Sequence, residues 1–200
     1  MRSTVKAVVL SGGKSKRMGR DKSFLNIGDV FLLDIIVKKL KLVFDDIYVV
    51  INSSSKFQNL SANLLTDIFS EKGPLGGIYT ALELIDANYI FVFACDMPFL
   101  NTGLIEYMVG KIDKQYNAIV PLINRRAEPL HAIYSQGSKD TVKDSVVQNR
   151  LSVHSLFNKF STLYVQEEEI KEFGNNMFFN VNTLEDYKKA LEIAGDAAKN

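Results

Sequence analysis

The 200-residue sequence is poor in cysteine and has no long apolar run. Because Cys95 is the only cysteine, it predicts neither an internal disulfide nor a cysteine-based metal cluster, and such usage suits a reducing compartment. The longest purely apolar run, Tyr89–Cys95, is far shorter than the roughly 20 residues that cross a bilayer. Residues Met1–Lys6 include no apolar stretch of signal-peptide length. We therefore expect a cytoplasmic protein without a membrane partner.

The chain also lacks a charge excess of either sign. Lys+Arg 24 against Asp+Glu 23 gives a formal net charge of +1, which creates no overall field for nucleic acid. Any anion site must therefore be a local arrangement. The 46% hydrophobic share is enough for a sizeable core, and no linker composition divides the chain. We expect a monomer with one domain over residues 1–195 and a frayed tail at 196–200.

Short apolar runs alternate with helical patterns in the first half, which predicts βαβ units in a three-layer α/β fold. The runs are rich in β-branched or aromatic residues, as in parallel strands that are buried on both faces. The predicted strands are Val5–Leu10, Asp46–Ile51, Tyr89–Ala94 and Ala118–Pro121. The predicted helices are Phe31–Phe44, Leu75–Ala87 and Leu104–Ile112, the last capped by Asn101-Thr102.

The second half is less regular. It predicts two further strands, Leu130–Tyr134 and Thr162–Val165, and a short helix over Ser152–Phe160. Acidic residues directly after Thr183 are typical of the first turn of a helix, so a C-terminal helix is expected there.

The strongest functional signal is the loop that follows the first strand. Between Ser11 and Lys22, lysines and arginines stand beside three glycines at the carboxyl end of a strand, where open α/β sheets bind ligands. Glycines let main-chain N–H groups approach a ligand, and the cations neutralise phosphates. The spacing matches neither a Walker loop nor the Gly-x-Gly-x-x-Gly dinucleotide fingerprint. The alternative reading is a solvated basic turn.

The loop resembles the signature of the α/β nucleotidyltransferases, and within them it is most similar to the molybdenum cofactor guanylyltransferases of the MobA-like family. The resemblance rests on the segments Leu10–Gly13, Arg17–Gly19 and Asp21-Lys22. It implies a Rossmann-like nucleotidyltransferase fold with a mostly parallel central sheet. It assigns catalytic roles to Arg17 and Lys22. It assigns nucleotide binding in this loop to Leu10, Ser11, Gly12, Gly13 and Lys22.

Further blocks down the chain extend the resemblance to about residue 186. Asp96 follows the most apolar strand on a Pro-containing turn, and a carboxylate there suits Mg²⁺, which takes one or two protein carboxylates beside phosphates and water. By resemblance Asp96 is the metal ligand and a catalytic, nucleotide-binding residue. The other nucleotide-binding positions implied are Asn52, Asp67 and Gly77. For both Asp67 and Asn52, turn chemistry is the rival reading.

Two later blocks are implied to face the acceptor. They are Glu128–Tyr134, which contributes Pro129, and Phe178–Thr183, which contributes Asn180 and Asn182. If the second block is extended, its two asparagines project to the same side. A lone histidine in an apolar strand is more often packed than catalytic, so His131 and likewise His154 receive no role.

The implied activity is transfer of GMP from GTP to the terminal phosphate of molybdenum-bound molybdopterin, with release of pyrophosphate and with Mg²⁺ as cofactor. Molybdoenzyme apoproteins or their chaperones are expected partners for the product. A first alternative is a related nucleotidyltransferase that uses CTP or a sugar-phosphate acceptor. A second is a non-catalytic GTP-binding protein that delivers the cofactor.

Overall fold

The computed structural model describes residues 4–11, 26–27, 30–52 and 60–197. The strands are β1 (Val5–Ser11), β2 (Asn26–Ile27), β3 (Val30–Phe31), β4 (Ile47–Ile51), β5 (Asn63–Thr66), β6 (Tyr89–Ala94), β7 (Ala118–Ile123), β8 (Arg126–Ala127), β9 (His131–Ser135) and β10 (Thr162–Val165). The α-helices are α1 (Leu32–Leu40), α2 (Gly73–Leu84), α3 (Thr102–Gly110), α4 (Lys139–Val147), α5 (Glu167–Ile170) and α6 (Leu184–Ala197).

Eight of the described strands form one central sheet, in the order β5-β4-β1-β6-β9-β7-β10 with β8 added to β7. The pairs β1–β4, β1–β6, β4–β5 and β7–β10 are parallel. Strand β9 runs antiparallel between β6 and β7, so all the long strands except β9 point the same way. The mostly parallel central sheet expected from the sequence is confirmed.

Helices cover both faces of this sheet. Helices α1 and α3 pack on one face through buried residues such as Ile36 and Ile105. Helices α2 and α4 pack on the other face through residues such as Ile78 and Val146. Because both faces are covered, Val8 of the central strand is fully buried, as its continuous apolar run predicted. The three-layer α/β architecture is confirmed.

The structure differs from the sequence-based expectation in the second half. Helix α4 was not predicted, because Lys139–Val147 presents only Val142 and Val146 as buried apolar residues and so has little helical periodicity. The helix predicted over Ser152–Phe160 is a 3₁₀ helix, Val153–Asn158. Two shorter 3₁₀ helices, Gln136–Ser138 and Lys171–Phe173, and the two-residue strands were also not predicted. No helix in the described part of the chain is long and apolar enough to cross a membrane.

The C-terminal part of the chain returns to the start of α1. Buried Leu32, Val181 and Ala190 form a small separate core there, to which Phe99 and Phe179 add partly buried rings. Helix α6 begins with a capping box, because the Thr183 hydroxyl accepts a hydrogen bond from Asp186 N at 3.1 Å while the Asp186 carboxylate accepts one from Thr183 N at 2.9 Å. This core fixes the residues just before α6 against the first half of the chain.

Candidate active site

The order of the strands reverses beside β1, and this defines a crevice. The chain passes from β1 to β4 and β5 on one side, and then returns to place β6 on the other. In open α/β sheets, ligands bind outside the carboxyl ends of the strands at such a reversal. The Cys95 N–H donates to the Leu10 carbonyl at 3.3 Å and so ties the ends of β6 and β1 together. Leu10 and Ser11 are buried at this edge.

Asp96 lies in the turn directly after β6. Met97, Pro98 and Leu100 around it are buried, whereas Asp96 itself is half-buried at the edge of the sheet. The main-chain carbonyl of Asp96 accepts a hydrogen bond from Val181 N at 2.9 Å. The turn is therefore anchored by buried apolar side chains and by its main chain.

The bond to Val181 brings together residues that the sequence singled out separately. Asn180 and Asn182 flank Val181, so both asparagines lie next to the Asp96 turn. The segment is not a strand: Asn180 Nδ2 donates to the Phe178 carbonyl at 3.2 Å, and Asn182 N donates to the Asp186 carboxylate at 3.0 Å. Its position therefore depends on tertiary contacts and on the cap of α6.

The glycine block forms the start of α2 at the same edge, with Pro74 in its first turn as expected. A Cβ on Gly77 would lie 3.0 Å from Leu10 Cδ2, so any larger residue would require the Leu10 side chain at the end of β1 to shift. A Cβ on Gly76 would lie 2.9 Å from the Phe69 carbonyl and 3.3 Å from Asp67 Oδ2. The two glycines bring α2 against the ends of β1 and β5.

Asp67, directly after β5, is held by its side chain. Its Oδ1 accepts hydrogen bonds from Phe69 N at 3.1 Å and from the Thr80 hydroxyl at 2.7 Å, while the same hydroxyl accepts one from Ile68 N at 2.9 Å. Asp67 Oδ2 accepts no hydrogen bond within the part of the chain that the structure describes. The turn role that was the rival reading is therefore present. Sequence reasoning missed Thr80, whose signal is its position one helical turn after Gly76 on α2.

The other predicted residues are distributed along the same edge. Asn52 is exposed, just after β4. The Pro129 carbonyl accepts a hydrogen bond from the Tyr134 hydroxyl at 2.8 Å, which fixes the loop before β9. Burial raises the pKa of the neighbouring Glu128 carboxyl, a half-buried residue that was given no role from the sequence. The predicted Gly12, Gly13, Arg17 and Lys22 lie outside the described residues.

His131 is fully buried at the start of β9, opposite Phe93 of β6. Its ring makes edge contacts with Phe91, Phe93 and Phe178, with centroids 5.2 to 5.4 Å apart. Neither ring nitrogen has a hydrogen-bond partner among the described residues. Burial lowers the pKa of His131 to about 3, so the ring is neutral near pH 7 and only weakly basic.

The donors available for a metal are few. Within residues 4–11, 26–27, 30–52 and 60–197, no group of three or more His, Cys, Asp or Glu side chains could hold an ion. Asp96 contributes a single carboxylate at this edge. One carboxylate fits Mg²⁺, which keeps several waters and binds substrate phosphates in addition to one or two carboxylates.

The parallel sheet with its reversal at β1, the acidic turn after β6 and the glycine-led helix α2 are the features expected of an α/β nucleotidyltransferase. The profile of the MobA-like NTP transferase domain matches residues 7–159. The chain belongs to this family. It is 31% identical over 202 residues to a probable molybdenum cofactor guanylyltransferase from Peptoclostridium acidaminophilum, covering 97% of this chain and 91% of the relative.

A second relative and two solved structures are also similar to this chain. A molybdenum cofactor guanylyltransferase from Syntrophotalea carbinolica is 34% identical over 186 residues, which cover 92% of this chain and 89% of that protein. Among solved structures, molybdopterin-guanine dinucleotide biosynthesis protein A from Archaeoglobus fulgidus superposes with a TM-score of 0.84 at 25% identity, covering 96% of this chain and 99% of that one. The 2-C-methyl-D-erythritol 4-phosphate cytidylyltransferase from Thermus thermophilus, with a TM-score of 0.67 at 14% identity and coverage of 94% and 98%, shares the fold.

Proposed function

We propose that this protein transfers GMP from GTP to the terminal phosphate of molybdenum-bound molybdopterin and releases pyrophosphate, so that the guanine dinucleotide form of the cofactor results. The observation that carries the proposal is the hydrogen bond from Val181 N to the Asp96 carbonyl. It joins the acidic turn after β6 to the asparagine segment, at the crevice where the basic loop leaves β1. Guanylyltransferase relatives that cover nearly the whole chain supply the base and the acceptor.

The chemistry needs no protein base. A phosphate monoester carries about −1.5 to −2 charge at neutral pH, and it can attack the α-phosphorus of GTP directly. This agrees with the neutral, enclosed state of His131. The difficulty is that two polyanions must meet, so catalysis depends on positioning and on charge stabilisation at the phosphates.

Different residues bind the phosphates, the metal ion and the two substrates. Arg17 and the N–H groups around Gly12 and Gly13 hold the β- and γ-phosphates, and Lys22 lies at the α-phosphate. Asp96 binds Mg²⁺, which when bound neutralises phosphate charge and polarises the phosphoryl oxygens. On the nucleotide side, Leu10, Ser11, Asn52, Asp67 and Gly77 line the GTP site. On the acceptor side, Pro129, Asn180 and Asn182 face the pterin.

The proposal also covers the oligomeric state, the location and the partners of the protein. The protein acts as a monomeric, single-domain cytoplasmic enzyme over residues 1–195, and it hands its product to molybdoenzyme apoproteins or their chaperones. A different base, a sugar-phosphate acceptor or a purely delivering role would each give another result in the assay below.

The test is pyrophosphate release from GTP, ATP, CTP and UTP with magnesium, with and without purified molybdenum-bound molybdopterin. Release from GTP only when the acceptor is present is the expected result. Release from another nucleotide, or with a sugar phosphate as acceptor, would contradict the substrate assignment. Tight GTP binding without release would contradict catalysis and favour cofactor delivery.

A further inference from the structure

The turn between β7 and β8 is a strained two-residue hairpin. Ile123 pairs with Arg126, so Asn124 and Arg125 form the loop, and both have positive φ, at 48° and 61°. This is the pattern of a type I′ turn, whose second position usually holds glycine. An arginine there strains the main chain, and such strain concentrates at ligand-binding sites.

The hairpin is nevertheless held in place. Asn124 N donates a hydrogen bond to Glu167 Oε2 of α5 at 2.9 Å, and Glu128 N donates to the Pro121 carbonyl at 2.9 Å on the other side of the turn. Glu167 lies 3.9 Å from Lys171, which balances its charge. The turn is therefore fixed at two points without using either arginine side chain.

The strand directions place the hairpin at the same edge of the sheet as Asp96. Strand β9 runs antiparallel to both β6 and β7, so β6 and β7 point the same way and their carboxyl ends lie at one edge. The Asp96 turn follows β6, and the hairpin follows β7. With β9 between them, β6 and β7 are about 10 Å apart.

Arg126 also lies on the face of the sheet that carries the Phe178–Thr183 segment. Ala127 packs against the core under α2 and α4, while Ile123 packs against the core under α1 and α3. Arg126 is directly opposite Ile123, so it is on the α1 side, the side that also carries the Phe178–Thr183 segment. Both Arg125 and Arg126 are exposed, and neither has an ion-pair partner among the described residues.

We propose that Arg126, assisted by Arg125 at the turn, binds the phosphate of the acceptor on the side opposite the GTP loop. A guanidinium offers a planar fork that matches a phosphate, and a spacing of about 10 Å between the strands that lead to the two turns leaves room for a phosphate monoester between them. The two arginines thereby select a phosphorylated acceptor. This inference deepens the function proposed above and rests on it.

The first experiment measures KM for molybdenum-bound molybdopterin and KM for GTP in wild type, Arg126→Gln, Arg126→Lys and a control. The control is Lys39→Gln, which removes one exposed positive charge in the last turn of α1, at the opposite edge of the sheet. Arg126→Gln should raise KM for the acceptor by about tenfold or more, while KM for GTP stays within twofold. Arg126→Lys should recover part of the loss, because it keeps the charge without the fork. An acceptor KM that Arg126→Gln leaves within twofold of wild type overturns the inference.

A second experiment separates this inference from the function on which it rests. Equilibrium binding of molybdopterin and of its dephosphorylated form is measured without GTP. Wild type should prefer the phosphorylated form, and Arg126→Gln should lose most of that preference. This result supports the inference even where no pyrophosphate is released and the proposed function fails. Equal binding of both forms by wild type overturns the inference, and GTP turnover with the acceptor then leaves the proposed function intact.

Discussion

Two aspartates follow strands β5 and β6 at the same edge of the sheet and are anchored through different atoms. Asp67, after β5, uses its carboxylate for local structure, since Oδ1 accepts hydrogen bonds from Phe69 N and from the Thr80 hydroxyl. Asp96, after β6, is joined to the distant Val181 through its main-chain carbonyl. A carboxylate at the ligand edge is therefore not automatically part of the chemistry. The bonds that anchor Asp67 use its carboxylate, whereas the bond between Asp96 and Val181 uses the main chain.

The largest effect is expected at Asp96. Asp96→Ala should lower kcat by about 100- to 1,000-fold, by analogy with the loss of one preorganised charge-stabilising group. The midpoint of thermal unfolding should change little, because the carbonyl that binds Val181 remains. Steady-state kinetics and calorimetry on the same preparation check both halves. The control is Asp86→Ala, an exposed carboxylate with no hydrogen bond among the described residues. An active Asp96→Ala enzyme would remove Asp96 from the mechanism.

Substitution of Asp67 should change the stability of the protein more than it changes kcat. Asp67→Ala leaves the Thr80 hydroxyl and Phe69 N without their acceptor, so it should lower the free energy of unfolding by about 1 to 3 kcal/mol. Urea denaturation measures this, with Thr80→Val as the matched variant that removes the same side-chain bond at similar volume. Unchanged stability in both variants would break the comparison, because the Asp67 carboxylate would then have no structural role.

His131 makes the free energy of unfolding depend on pH. Its folded pKa of about 3 lies below the unfolded value of about 6.5, so the unfolded state binds the proton more readily. Wild type should therefore lose about 1.4 kcal/mol of stability per pH unit as pH falls below about 6.5. His131→Phe keeps the contacts with Phe91, Phe93 and Phe178 but removes this loss. Urea denaturation at pH 7.5 and pH 5 should show a difference of about 2 kcal/mol between the two proteins' changes. Parallel profiles would contradict the neutral, enclosed histidine.

The smallest effect concerns the cap that precedes α6. Thr183→Ala removes the hydroxyl that accepts from Asp186 N, and it should lower stability by about 1 kcal/mol. Ser155→Ala, at a half-buried position in the 3₁₀ helix, is a comparable loss of one hydroxyl away from the Asp96 turn. If the cap also helps to hold Asn182, then kcat should fall with Thr183→Ala and not with Ser155→Ala. Equal kcat in both variants would limit the cap to a stabilising role.

Much of the fold could be predicted because the central strands are short apolar runs. β1, β4 and β6 are buried on both faces, and their sequences carry that burial directly. The cap by Asn101 was predicted from local chemistry, and its side chain accepts a hydrogen bond from Leu104 N at 3.0 Å. Helix α4 was not predicted, because its buried face contains only two valines and a serine.

The candidate site was predictable only in part. Residues after strand ends, such as Asp67 and Asp96, are marked by position, because parallel strands all deliver their carboxyl ends to one edge. The contact between Val181 and Asp96 could not be predicted from the sequence. It is a main-chain hydrogen bond between distant segments, and such a bond does not depend on residue type. The same holds for Arg126, whose relation to Asp96 depends on the order and direction of β7, β9 and β6 in the sheet.

Nucleotidyl transfer at the Asp96 turn is tested most directly by following the phosphorus atoms of GTP. GTP labelled at the α-phosphate and GTP labelled at the γ-phosphate are incubated separately with the protein, magnesium and molybdenum-bound molybdopterin. We expect that α-label enters the cofactor and γ-label leaves in pyrophosphate, and that Asp96→Ala abolishes both. Transfer of the γ-label to the acceptor, or α-label that stays in GTP while the nucleotide is bound, would contradict nucleotidyl transfer at the Asp96 turn.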